Sequence, residues 1–319
     1  MNYRNFGAAG VKVSPICLGT AFRGAPDEDV CRATIDRAID VGINFIDCAN
    51  EYQRGRCERI LGRALKGRRD QIVLTTKVCS PTGDGPNDAG LSRFHIMREV
   101  ENSLSRLQTD YIDIYLAHSL DLETPIEETL RAFDDLVRQG KVRYIGCSNF
   151  GAWQVCKALW TSDRRNLTPF ICVQDHYNLL DRRIERELIP LCQSEGLGIM
   201  TYSATAVGLL TGHFRHGEPP PDGSVWAGNL QRFEQTMTPA ADRVVETLMS
   251  IAAERGRTPA QIAIAWILSR PGISSAMIGP DASAHVDENI GGVGWKLSDE
   301  ERRKLDEASA WAVNDGQIV

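Results

Sequence analysis

Short, predominantly apolar runs alternate along the chain with longer stretches in which apolar residues recur every three or four positions. The short runs lie at Ile16 to Gly19, Ile43 to Ile46, Ile72 to Thr76, Tyr111 to Ala117, Val142 to Cys147, Ile171 to Gln174, Ile199 to Tyr202 and Ser275 to Ile278. Their length and β-branched content predict strands. Stretches such as EDVCRATIDRAIDVG, HIMREVENSLSRLQ and IEETLRAFDDLVRQG, often closed by Gly, predict helices with one buried face. A strand without a polar face must be covered on both sides, which is the condition of a parallel sheet packed under helices. Eight such strand-helix repeats predict an α/β fold of the (β/α)8 TIM-barrel type.

Departures from the regular spacing add detail. The opening MNYRNFGAAGVKVSP predicts a short β-hairpin ahead of the first strand, placed to cover the bottom of the barrel. Between the seventh and eighth strands the gap is far longer than between the others. It holds the Gly/Pro-rich stretch HGEPPPDGSVWAGN, followed by two helical patterns, PAADRVVETLMSIAAERG and TPAQIAIAWILSRPG. Residues 212–238 are therefore expected to form a long loop over the mouth. Trp160 and Trp266 fall on apolar helical faces and are expected in the core. The tail AVNDGQIV is polar and expected to be loose. With no linker or low-complexity segment, residues 1–319 read as one domain.

The 319 residues carry a net charge of -6 without long blocks of one sign, which argues against nucleic acid as a partner. Nine cysteines are scattered without a C-x-x-C pair, several inside apolar runs such as PICLG and FICVQ. They read as free buried thiols, with neither disulfides nor a metal site. No segment of 18 consecutive apolar residues and no apolar leader flanked by basic residues appears, so a cytoplasmic protein without membrane partners is expected. The sequence leaves the oligomeric state open.

In a barrel of this kind the reacting groups sit at the carboxyl ends of the strands. There the chain places Asp47 after the second strand, Lys77 after the third, His118 after the fourth, Ser148 and Asn149 after the fifth, Gln174 after the sixth and Tyr202 after the seventh. Tyr52 follows in the loop beyond Asp47. Each alone has a plain structural reading: a helix cap, a snorkelling lysine, a hydrogen-bonded core histidine. Together they suit one chemistry. A phenol exchanges a proton poorly near neutral pH unless a cation favours its phenolate; Lys77 can supply that cation, Asp47 can hold it charged, and His118 can orient a carbonyl. That is proton transfer to a carbonyl oxygen, the partner step of hydride delivery to carbon.

The stretches FIDCANEYQRGRCERILGRAL, TTKV, GLSRFHIMREVENSLSRLQTDYIDIYLAH, GKVRYIGCSNF, QDHYNLLDR, YSATAVGLLTG and TPAQIAIAWILSRPGISSAMIGP resemble the aldo-keto reductase superfamily over nearly the whole chain. The closest likeness is to bacterial aryl-alcohol and sugar dehydrogenases and the β-subunits of potassium channels. The resemblance implies an NAD(P)-dependent alcohol or sugar dehydrogenase or carbonyl reductase acting on a small carbonyl/alcohol substrate. Its alternative is a cofactor-binding regulatory subunit with little turnover. The resemblance makes Tyr52 the general acid/base, Lys77 and Asp47 the pair that lowers its pKa, and His118 the residue that orients substrate. It assigns cofactor contacts to Gly19, Thr20 and Asp47, and assigns Ser148, Asn149 and Gln174 to the nicotinamide carboxamide. Tyr202 is to stack on the ring, Ser203, Ala204, Thr205, Ala206 and Gly208 are to clamp the pyrophosphate, and Gly279, Asp281, His285, Glu288 and Asn289 are to hold the adenosine end.

Two departures matter. YSATAVG lacks the proline usual in this turn of the family. The stretch GPDASAHVDEN lacks the lysine or arginine that pairs with a 2'-phosphate, offering Asp281 and His285 instead, so NAD is favoured over NADP, with Arg215 as an alternative cation. Trp226 and Phe233, in the long loop, are candidates to face substrate or to pack the loop.

Overall fold

The computed structural model describes residues 1–24 and 27–316. A two-stranded antiparallel hairpin, β1 (Arg4–Asn5) and β2 (Lys12–Val13), precedes eight strands: β3 (Ile16–Gly19), β4 (Phe45–Asp47), β5 (Val73–Val78), β6 (Ile112–Ala117), β7 (Val142–Ser148), β8 (Cys172–His176), β9 (Gly198–Tyr202) and β10 (Ile273–Ile278). These eight pair in parallel and in chain order, and β10 also pairs with β3, closing a barrel. Every residue of β3, β5 and β6 is buried, because one face fills the barrel and the other lies under helices. The predicted strands and hairpin are all present, with ends shifted by a residue or two.

The barrel interior explains the hairpin. Phe6 and Val13 join Cys17, Phe45, Val73, Ile114, Leu116, Cys172 and Met200 in one apolar cluster, distinct from the larger cluster between strands and helices. Phe6 meets Phe45 edge-on at 5.2 Å. Gly198 makes room for it, since a Cβ there would stand 2.5 Å from the Phe6 ring. The hairpin is thus a plug that seals the lower end and leaves the upper end for chemistry.

The helices start where side-chain caps allow. Asp27 accepts from Val30 N at the head of Glu28–Asp40, Ser92 from His95 N ahead of Arg93–Leu107, and Thr258 shares a capping box with Gln261 at Pro259–Leu268.

Two expectations need correction. Residues 212–238 are not a structureless loop. They carry the helix Leu230–Thr236, and Phe214, Trp226 and Phe233 pack together at ring separations of 6.1 Å. Trp266 is fully buried and stacks on Tyr177 at 5.3 Å, but Trp160 is 56% exposed with the Arg164 guanidinium over its ring. Periodicity identifies an apolar face of Ala152–Arg165; it does not say that another element covers it. Of the tail, Ala312–Asp315 is a short helix, and its last three residues lie outside the described ones.

Candidate active site

The upper mouth gathers the strand-end residues. Asp47 ends β4 in register with Gly19 of β3 and Thr75 of β5. Lys77 lies two residues further up β5, and His118 follows β6. Tyr52 brings its hydroxyl to 3.2 Å from the Lys77 ammonium, and beyond it the chain turns away through Gln53, Arg54 and Gly55, all at positive φ.

Lys77 is completely buried, and its ammonium has three acceptors: Asp47 Oδ2 at 2.6 Å, the Cys48 carbonyl at 2.7 Å and the Tyr52 hydroxyl oxygen at 3.2 Å. Burial alone would lower its pKa, but the adjacent Asp47 carboxylate, with Tyr52, reverses this and holds it above its ordinary value. Lys77 therefore stays charged. The Tyr52 oxygen accepts from Lys77, which leaves its own O–H to donate elsewhere.

Burial pushes the Tyr52 phenol up to about 12, against the pull of Lys77 and with the help of the Asp47 charge. The cation acts in the expected direction, but the phenol is desolvated and the net shift is upward, opposite to the lowering inferred from the family resemblance. His118 is lowered to about 3 by burial and by Lys77, so its imidazole is neutral. Its ring meets Tyr52 edge-on at 5.9 Å, and its buried Nδ1 has no hydrogen bond, with Glu51 Oε1 3.4 Å away.

Hydrogen bonds tie the remaining strand ends to this centre. Gln174 donates to Asp47 Oδ1 at 2.9 Å. Asn149, at φ 60°, donates to the His118 carbonyl and to Ser148 Oγ, and accepts from the Tyr202 hydroxyl at 2.8 Å. Thr20 donates to the Asp47 carbonyl at 2.8 Å. Tyr202 is braced edge-on by His176, 5.2 Å away, whose Nδ1 lies 2.9 Å from Asp181.

Past β9 the backbone is unusual. Ser203 and the run Ala206, Val207 and Gly208 all have positive φ, a conformation costing about 1 kcal/mol for each ordinary residue. The amides of Ala206, Leu209 and Leu210 close internal turns. Among the described residues, those of Val207 and Gly208 have no acceptor within this turn. Adjacent free amides on a left-handed bend make an anion cradle, which fits a pyrophosphate. Trp226 Nε1 donates to the Val207 carbonyl at 3.0 Å. Trp226 and Phe233 are each only 3% exposed, so they pack beneath this turn and present no face to substrate.

In the segment expected to hold adenosine, Gly279 is open, with nothing within 4 Å of where a Cβ would stand. Asp281 Oδ1 accepts from Gly24 N at 3.1 Å, clasping the loop after β3, and its own amide points to His285 Nδ1. Arg215 is held between Asp242 and Glu246, so the alternative cation for a 2'-phosphate is already engaged.

Residues that sequence reasoning passed over also gather here. Glu51 stands directly before Tyr52, Arg23 follows the first barrel strand, and His176 follows Gln174 by two. Their only signal was adjacency to residues already singled out.

The sequence profile of the Aldo/keto reductase family matches residues 15–310. A probable voltage-gated potassium channel subunit beta of Arabidopsis thaliana is 37% identical, covering 91% of this chain and 90% of its own. An uncharacterized oxidoreductase of Bacillus subtilis, YrpG, is 36% identical over 96% of this chain and 95% of its own. Aldo-keto reductase AMT2 of Alternaria alternata is 34% identical over 96% and 90%.

Proposed function

The chain belongs to the aldo/keto reductase family, and we propose that it interconverts an aldehyde or ketone and the corresponding alcohol with Tyr52 as general acid/base. The observation that carries this reading is the buried chain Asp47, Lys77 and Tyr52, which ends on a phenol with its proton free to donate. Bound nicotinamide nucleotide would supply or take up the hydride at carbon. Tyr52 gives its proton to the carbonyl oxygen during reduction and takes one from the alcohol during oxidation. Lys77 stabilises the phenolate that reduction leaves behind. His118, neutral, donates a hydrogen bond that orients the same oxygen.

The residues that would hold the nucleotide fit its parts by their donor sets. Ser148, Asn149 and Gln174 offer amide and hydroxyl groups for a carboxamide, and Tyr202 offers a ring for stacking. The left-handed turn through Ser203, Ala204, Thr205, Ala206 and Gly208 would present the amides of Val207 and Gly208 to the pyrophosphate, with Gly19 and Thr20 across the mouth. Gly279, Asp281, His285, Glu288 and Asn289 lie at the adenosine end. The carboxylate of Asp281 and the engagement of Arg215 favour a free 2'-hydroxyl, hence NAD over NADP.

Titration of the purified protein with NADH and NADPH, read by tryptophan fluorescence, tests the nucleotide. Tighter NADH binding is expected; tighter NADPH binding would overturn the assignment of Asp281, and binding of neither would overturn the cofactor site. The likeness to channel β-subunits favours a second reading, a nucleotide-holding regulatory subunit. Tight nucleotide binding with negligible reduction of any aldehyde would support it over the first.

A further inference from the structure

Tyr202, partly buried at the end of β9, is held at both ends. The Tyr177 amide donates to its carbonyl at 3.3 Å and Asn178 Nδ2 to the Ser203 carbonyl at 3.0 Å, which fixes the backbone. Its hydroxyl donates to Asn149 Oδ1 at 2.8 Å. Neither anchor stops the ring from turning about its long axis, because the hydroxyl oxygen lies on that axis. A side contact must set the plane of the ring. Among the described residues the one ring that meets it is His176, edge-on at 5.2 Å with the two planes 70° apart. The two residues are neighbours in register on β8 and β9.

Burial of an imidazole here is unfavourable in itself. His176 is 2% exposed and its Nε2 has no hydrogen bond, whereas an aliphatic side chain would bring no polar atom to satisfy. Its Nδ1 lies 2.9 Å from Asp181, which also accepts from Arg183 Nε at 2.9 Å and Nη2 at 2.7 Å. Burial alone would raise the Asp181 carboxyl, but Arg183 and His176 hold it at about 2. An ionised carboxylate only accepts hydrogen bonds, so Nδ1 carries the proton and this bond fixes the orientation of the imidazole. Arg183, Asp181 and His176 thus form a chain that ends on the Tyr202 ring. The catalytic scheme given above uses none of the three.

We propose that His176 is a positioning residue: clamped by Asp181, its ring sets the plane of Tyr202 and, through it, the seat of the nicotinamide. This rests on the assignment of Tyr202 to the nicotinamide ring given above.

The test compares NADH with ADP-ribose, which keeps the pyrophosphate and adenosine but lacks the nicotinamide. Both are titrated by calorimetry into wild type, Tyr202→Leu, His176→Asn and His176→Phe. His176→Asn keeps an amide donor for Asp181 and loses the ring; His176→Phe keeps a ring and loses the donor. In His176→Asn the affinity for NADH should fall about 3- to 10-fold, as for one aromatic edge contact, with ADP-ribose affinity unchanged. His176→Phe should recover part of that loss, and if it does not fold the His176→Asn comparison stands alone. Tyr202→Leu should show the same selective loss in larger measure. An equal fall for both ligands in His176→Asn would make His176 merely structural and overturn the proposal. So would unchanged NADH affinity in His176→Asn beside a selective loss in Tyr202→Leu, and both outcomes leave the cofactor reading standing. If Tyr202→Leu binds NADH as wild type does, or wild type binds neither ligand, the assignment of Tyr202 falls and the proposal with it.

Discussion

Tyr52 and Lys77 show how burial and charge compete at one atom. Because burial holds the phenol at about 12, its acid form is fully present through neutral pH, while the phenolate that oxidation requires is scarce and increases about tenfold for each pH unit below that pKa. Reduction should therefore be nearly flat between pH 6 and 9, and kcat/KM for alcohol oxidation should climb with a slope near one; a flat oxidation profile would contradict this. The low pKa of His118 has a related consequence. With a folded value of about 3, its imidazole should show no titration between pH 5 and 8 when followed by NMR. Lys77 also bears on stability. Lys77→Met leaves Asp47 buried and unpaired and should cost about 3 to 5 kcal/mol in urea unfolding. Adding Asp47→Asn should recover part of that loss, because the orphaned charge is then gone.

The turn after β9 was the least legible element in the sequence. YSATAVG lacks the usual proline, yet Ser203, Ala206 and Val207 adopt positive φ, with the Trp226 indole donating to the Val207 carbonyl and Asn178 to the Ser203 carbonyl. Nothing in composition reports a non-glycine left-handed residue, since it is imposed by contacts distant in sequence. The same cause hid the roles of Trp226 and Phe233. They stand in a Gly/Pro-rich stretch with no periodicity, and only the folded segment shows that they face inward. Trp226→Phe, which keeps a ring but loses the indole donor, should cost about 1 kcal/mol of stability. If the turn clamps pyrophosphate, the same variant should also weaken nucleotide binding several-fold, measured by the same fluorescence titration. Trp226→Ala should cost about 3 to 5 kcal/mol. Equal nucleotide affinity in wild type and Trp226→Phe would separate the turn from the binding site.

At the scale of the whole molecule the barrel was legible because its signal is repeated. Eight predominantly apolar runs, each followed by an amphipathic stretch, leave few ways to cover every strand on both faces. The hairpin and its place under the barrel were legible as a short segment ahead of the first strand, but that Phe6 and Val13 enter the barrel interior was not. Asp47, Lys77 and His118 were legible only together, because each alone has an ordinary structural use while three ionisable groups on adjacent strand ends converge on one spot. Glu51 and Arg23 lacked that mark, standing in loops where charge is ordinary. Packing also sets the reactivity of the thiols. Eight of the nine cysteines are buried, and Cys156 is exposed. A thiol reagent such as DTNB should therefore modify one cysteine rapidly in the native protein and the others only on unfolding, and Cys156→Ser should abolish the fast phase.

The most direct test of the account compares wild type and Tyr52→Phe for nucleotide affinity and single-turnover reduction of an aldehyde that the wild type accepts. Loss of the proton donor should lower the chemical step by about 100- to 10,000-fold while the dissociation constant for NADH stays within a few-fold of wild type. A variant that binds nucleotide normally and still reduces the aldehyde at the wild-type rate would contradict Tyr52 as the acid.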